Sequence, residues 1–86
     1  MYCVIIAPSV EKDLRRIAKA DRKLHDRLFA AIESLAISPR AGKQLCGVLK
    51  GTYSYRVGDW RILYEICEKE VVVSVVDLGH RREIYE

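Results

Sequence analysis

Eighty-six residues, half of them apolar and 31% charged, are enough for one folded domain and too few for two, in the balance of a globular rather than a disordered chain. A core of this size leaves little room for an enclosed cofactor pocket, so any chemistry is expected in a surface cleft. The net charge is +3, and the longest apolar runs, residues 3–7 and 71–76, are far shorter than a bilayer span, which argues against a membrane helix.

The start of the chain lacks the basic and apolar regions of a signal peptide. Cys3, Cys46 and Cys67 are an odd set without a CxxC pair, so they are expected to be reduced, packed as small apolar residues in a cytoplasmic protein.

In chain order, residues 1–7 contain Tyr-Cys-Val-Ile-Ile, a β-branched run that reads as a buried strand stopped by Pro8. Ser9 is then a candidate N-cap, with Glu11 and Asp13 in the first turn of a helix running to about Ala20. Val10, Leu14, Ile17 and Ala18 recur at helical spacing, and the other face is basic, with Lys12, Arg15, Arg16 and Lys19. Asp21 is placed to cap a second helix whose apolar stripe is Leu24, Leu28, Ala31, Ile32 and Leu35 and which ends at Ser38-Pro39. Joined almost directly, the two helices are expected to form a hairpin covering a sheet, with His25 on an exposed face.

Residues 40–51 hold three glycines and read as a loop with a short strand near Leu45. From Thr52 the apolar period becomes two. Tyr53, Tyr55 and Val57 alternate with Ser54 and Arg56; after Gly58-Asp59, Trp60, Ile62, Tyr64 and Ile66 alternate with Arg61, Leu63 and Glu65. A glycine at the first of two central positions suits a type II′ hairpin. A last strand over residues 71–78 follows Glu68-Lys69-Glu70. The order is β-α-α-β-β-β, a single α+β domain over residues 1–86 with a helical hairpin on a mainly antiparallel four-stranded sheet, and a short C-terminal tail or helical turn.

The hairpin forces a pairing. A two-residue loop sets Val57 against Trp60 and Arg56 against Arg61, with the two arginines on one face and their Cβ atoms about 4.5–5.5 Å apart. Like charges in that position repel unless neutralised, by a carboxylate such as Glu65 or by a bound phosphate, which guanidinium grips in bidentate fashion. The charge distribution favours a polyanion. Residues 34–64 carry Arg40, Lys43, Lys50, Arg56 and Arg61 against Asp59 alone, whereas residues 65–86 carry three basic and six acidic side chains. The C-terminal Gly79-His80-Arg81-Arg82-Glu83-Ile84-Tyr85 adds a titratable imidazole, two guanidiniums and a phenol. Phosphate-loop, zinc-ligand and nucleophile-elbow patterns are absent.

The string Leu49-Lys50-Gly51 … Tyr55-Arg56-Val57-Gly58-Asp59-Trp60-Arg61-Ile62-Leu63-Tyr64-Glu65-Ile66, with the C-terminal run above, resembles the RelE/ParE superfamily of type II toxins, nearest the RelE branch. Ala7-x-x-x-x-Lys12-Asp13-Leu14 and Leu35…Ser38-Pro39 fit the same pattern. The resemblance implies a cytoplasmic toxin held inactive by a cognate antitoxin. It implies a ribosome-dependent endoribonuclease that cuts mRNA in the A site by attack of the 2′-hydroxyl on the adjacent phosphate, with no metal, small-molecule cofactor or membrane partner. By position, Arg61 and Arg81 match the family's phosphate-binding and acid-providing arginines and Tyr85 its C-terminal tyrosine. Arg56 lies in the basic strand that grips RNA, with Lys43, Lys50 and Arg82 as further RNA-binding candidates. Thr52 and Ser54 stand where some RelE members have lysines, one of them considered the general base, and His80 or Glu65 is the substitute here. The same fold also carries gyrase inhibition in ParE-like members, and an inactive toxin would remain an antitoxin-binding co-repressor.

Overall fold

In a computed structural model, which describes residues 1–45 and 51–80, two helices pack on one five-stranded sheet. The elements run β1 (Cys3–Ile6), α1 (Pro8–Ala20), α2 (Arg22–Ser34), a 3-10 turn (Pro39–Ala41), β2 (Lys43–Gln44), β3 (Thr52–Val57), β4 (Trp60–Cys67) and β5 (Val72–His80). The sheet order is β1-β5-β4-β3-β2, antiparallel except where β1 runs parallel to β5. The α+β layering is as expected, and the short strand anticipated near Leu45 is present as the two residues of β2, which makes the sheet five-stranded rather than four-stranded.

Both helices begin where local chemistry dictates. Pro8 does not merely stop β1: it occupies the first turn of α1, where its missing N–H breaks no helical bond, and Ala7 is the N-cap. Ser9 therefore lies inside the helix, and no side chain caps it. Asp21 is the whole link between the helices, and its carboxylate accepts from the Leu24 N–H at 3.1 Å, the N-cap expected. α2 ends at Ser34, four residues before Ser38, and the Ser34 hydroxyl donates to the Ala31 carbonyl at 2.6 Å.

The core lies between the helices and one face of the sheet. Val10 and Leu14 of α1, Leu28 and Ile32 of α2, and Leu35 meet Ile62, Tyr64, Val73, Val75 and Leu78. β1 corrects the expectation of a buried strand. As an edge strand covered on one face only, it alternates, leaving Cys3 exposed and Ile5 52% exposed. Cys3 is thus not a core residue, Cys67 is half-buried, and Cys46 lies outside the described residues. His25 is half-buried rather than exposed, stacked on Phe29 and 3.0 Å from Asp26 Oδ1.

Candidate nucleic-acid interface

The β3–β4 hairpin has the anticipated register, with Val57 opposite Trp60 and Arg56 opposite Arg61. Gly58 takes φ +60°, whereas the only described non-glycine residue at positive φ is Val71. A positive φ at Gly58 but not at Asp59 matches the type II′ turn and rules out type I′.

Alternation then separates two faces. Tyr53, Tyr55, Val57, Trp60, Ile62 and Tyr64 face the helices and pack in or against the core. Arg56 and Arg61 point the other way, with Ser54 and, across β2, Lys43. These side chains line an open cleft of about 430 Å³ with Ala41, Gly42 and Tyr55, at the point where the short β2 has ended and β3 continues as an edge. Among the described residues, three cations and no carboxylate line it.

Arg56 is exposed, and its Nε donates to the Gly58 carbonyl at 3.1 Å, which holds the guanidinium beside the turn. Arg61 is half-buried, with Nη1 nearly shielded from water. Two unit charges brought to about 4 Å repel by about 1–4 kcal/mol, depending on the effective dielectric. A phosphate seated between them converts that repulsion into two charge-assisted attractions.

Glu65 does share the Arg61 face, yet it stands four residues along the strand, about 13 Å away at 3.3 Å per residue, opposite Thr52. His80 goes the other way. On β5 it pairs with Trp60 while Gly79 pairs with Arg61, and its ring meets the Trp60 ring edge-on at 5.7 Å on the helix side of the sheet. Neither candidate base therefore joins the Arg56–Arg61 cleft in this structure. Lys43 and Arg56 do join Arg61 there; Lys50, Arg81, Arg82 and Tyr85 lie outside the described residues.

Sequence reasoning missed the wall that carries Lys43. Tyr64 is wholly buried, and its hydroxyl donates to the Pro39 carbonyl at 2.7 Å and accepts from the Gly42 N–H at 2.9 Å. Burial pushes its pKa above the ordinary tyrosine value, partly opposed by the Gly42 bond. On the same turn, Arg40 donates to the Tyr53 hydroxyl at 2.8 Å and pairs with Glu68. A glycine three residues after Pro39, with tyrosines alternating nearby, was the available signal, but it named no contact.

Comparison with known proteins identifies the fold and the lineage. Residues 4–85 match the family model described as the ParE toxin of type II toxin–antitoxin systems. Toxin RelG of Mycobacterium tuberculosis is 32% identical, covering 98% of this chain and 95% of its own. The structure of the RelBE2 toxin–antitoxin complex of the same organism aligns with a TM-score of 0.81 at 28% identity, over 93% of this chain and 98% of that one. The archaeal RelE–RelB complex of Pyrococcus horikoshii aligns with a TM-score of 0.76 at 26% identity, over 96% and 98%. Isolated E. coli RelE has the same fold, with a TM-score of 0.76 at 23% identity over 93% and 84%. Two helices on a mixed sheet are thus the frame of a known lineage, and the chain belongs to the RelE/ParE superfamily of type II toxins.

Proposed function

We propose that this toxin is a ribosome-dependent mRNA endoribonuclease, and that the cleft of Lys43, Arg56 and Arg61 seats the RNA backbone. The observation that carries the reading is the cross-strand Arg56–Arg61 pair lining one cleft with Lys43, a cluster of cations suited to a phosphate backbone. In the reaction the ribose 2′-oxygen gives up its proton and bonds to the adjacent phosphorus. The bond from phosphorus to the 5′-oxygen breaks, and that oxygen takes a proton, leaving a 2′,3′-cyclic phosphate. Arg61, held by the rigid hairpin and partly out of water, stabilises the charge that builds on the pentavalent phosphate. Arg56 and Lys43 hold the flanking backbone, and Arg81 and Tyr85 complete the site as acid and nucleotide-orienting group.

With His80 and Glu65 set apart from Arg61, positioning and charge stabilisation supply most of the rate, and the ribosome presents the substrate in reactive geometry. A cognate antitoxin is the second partner, as in the RelBE2 and archaeal RelE–RelB complexes.

The test is primer extension on a defined mRNA programmed into ribosomes, comparing wild type with Arg61→Ala and repeating both on naked RNA. Codon-spaced cuts by wild type, requiring ribosomes and reduced about 100-fold or more in Arg61→Ala, are expected. Undiminished cutting by the variant overturns the assignment of Arg61. The match to a ParE family model keeps a second reading in view, gyrase inhibition without RNA chemistry. In that case ribosomes yield no cuts, and a supercoiling assay registers inhibition.

A further inference from the structure

The wall carrying Lys43 is secured from behind the sheet. The Tyr64 ring lies stacked on Tyr53 with centroids 5.5 Å apart, and its hydroxyl meets the turn at Pro39 and Gly42. Those two bonds hold both ends of the turn that leads into β2. Space is tightest at Gly42, where a Cβ would lie 2.5 Å from the Tyr64 hydroxyl and 2.9 Å from the Ser54 carbonyl oxygen. Its φ of −78° is open to any residue, so the glycine is required for this close approach and not for conformation. Lys43 follows directly and lines the cleft. β2 offers two residues of ladder, followed by the Leu45 N–H bond to the Thr52 carbonyl at 2.9 Å, so on its upstream side Lys43 is held by the clamp at the preceding residue.

We infer that Tyr64 is a positioning residue, whose hydroxyl holds the turn at Gly42 so that Lys43 meets the phosphate next to the one seated on Arg56 and Arg61. This rests on the RNA reading of the cleft and adds a buried group with no contact to substrate. Removing the hydroxyl should weaken binding through Lys43 and no other cation.

The experiment measures affinity for a single-stranded 2′-O-methyl RNA oligonucleotide, which is not cut, across a salt series. The proteins are the full chain as wild type, Tyr64→Phe, Gly42→Ala, Lys43→Ala, Arg61→Ala and the Tyr64→Phe/Lys43→Ala double variant, with urea midpoints confirming that each folds. Tyr64→Phe should weaken binding about three- to tenfold, the range for one lost hydrogen bond. It should also flatten the slope of log affinity against log salt by about 0.7, the value for one single-strand phosphate contact. Lys43→Ala should do the same, the double variant should be no worse than Lys43→Ala alone, and Gly42→Ala should reproduce the loss with the ring intact. An unchanged salt slope in both Tyr64→Phe and Gly42→Ala, or effects of Tyr64→Phe and Lys43→Ala that multiply, overturns the inference while Arg61→Ala still tests the cleft. Binding unaffected by both Lys43→Ala and Arg61→Ala overturns the RNA reading itself, and the inference with it.

Discussion

A buried hydroxyl that both donates and accepts is sensitive to its own proton, and Tyr64 is such a group. Desolvation raises its pKa above 10.0, since a phenolate in this position would lose both water and the bond to the Pro39 carbonyl. A raised value means that the native state holds the proton more tightly than the unfolded chain. The stability from Tyr64 is therefore fully present below about pH 10, the unfolded value, and is lost as pH rises through the higher folded value. Urea midpoints of wild type and Tyr64→Phe, taken between neutral pH and about pH 11, should converge as the solution becomes alkaline. A non-zero gap that stays constant over that range would show that the Tyr64 proton is held no more tightly in the folded chain than in the unfolded one. Taking the difference between the proteins cancels the other tyrosines and the lysines, which titrate in both.

At the scale of the element, the β3–β4 hairpin decides the site because its turn fixes its register. Slipping by one residue would turn Arg56 and Arg61 towards the helices and Tyr64 towards water. Gly58 holds the register by accepting φ +60°, where a Cβ is strained and would lie 3.3 Å from Arg27 Nη2. Gly58→Ala should lower the unfolding free energy by about 1–2 kcal/mol in urea titrations, with the arginine tip yielding and the backbone strain remaining. An unchanged midpoint would mean that the turn relaxes to another type. This hairpin was legible in the sequence because its signals are local: a Gly-Asp pair between two runs of period two. The Asp21 cap and both helical stripes were legible for the same reason. The exposure of β1 was not, since a short apolar run reads alike whether one face is covered or two. Nor was the face taken by His80, because a bulge sets Leu63 opposite Asp77 but Tyr64 opposite Val75, which resets the parity of β5. The Tyr64 clamp joins positions 22 and 25 residues apart, and no periodicity connects them.

Across the whole molecule, one sheet divides two tasks. Its helix face carries the main core, and its other face carries the cationic cleft, so stability and the proposed RNA binding should be separable by mutation. Leu28 is wholly buried at the centre of the helix face, and Leu28→Ala should cost about 2–5 kcal/mol through lost burial and a residual cavity. Against a total near 4–13 kcal/mol for a chain of this length, at about 0.05–0.15 kcal/mol per residue, that is a large share. The melting temperature should fall by about 8 °C or more. Arg61→Ala should behave oppositely. Its side chain lies outside the helix-side core, so thermal stability should hold within about 1 kcal/mol at either salt concentration. Differential scanning calorimetry of the two variants at low and high salt reads both effects. A drop of several degrees for Arg61→Ala would make the arginine a support of the fold, and its loss of cleavage would then no longer report on chemistry. A stable, inactive Arg61→Ala beside an unstable Leu28→Ala is the outcome that a sheet with one structural face and one functional face requires.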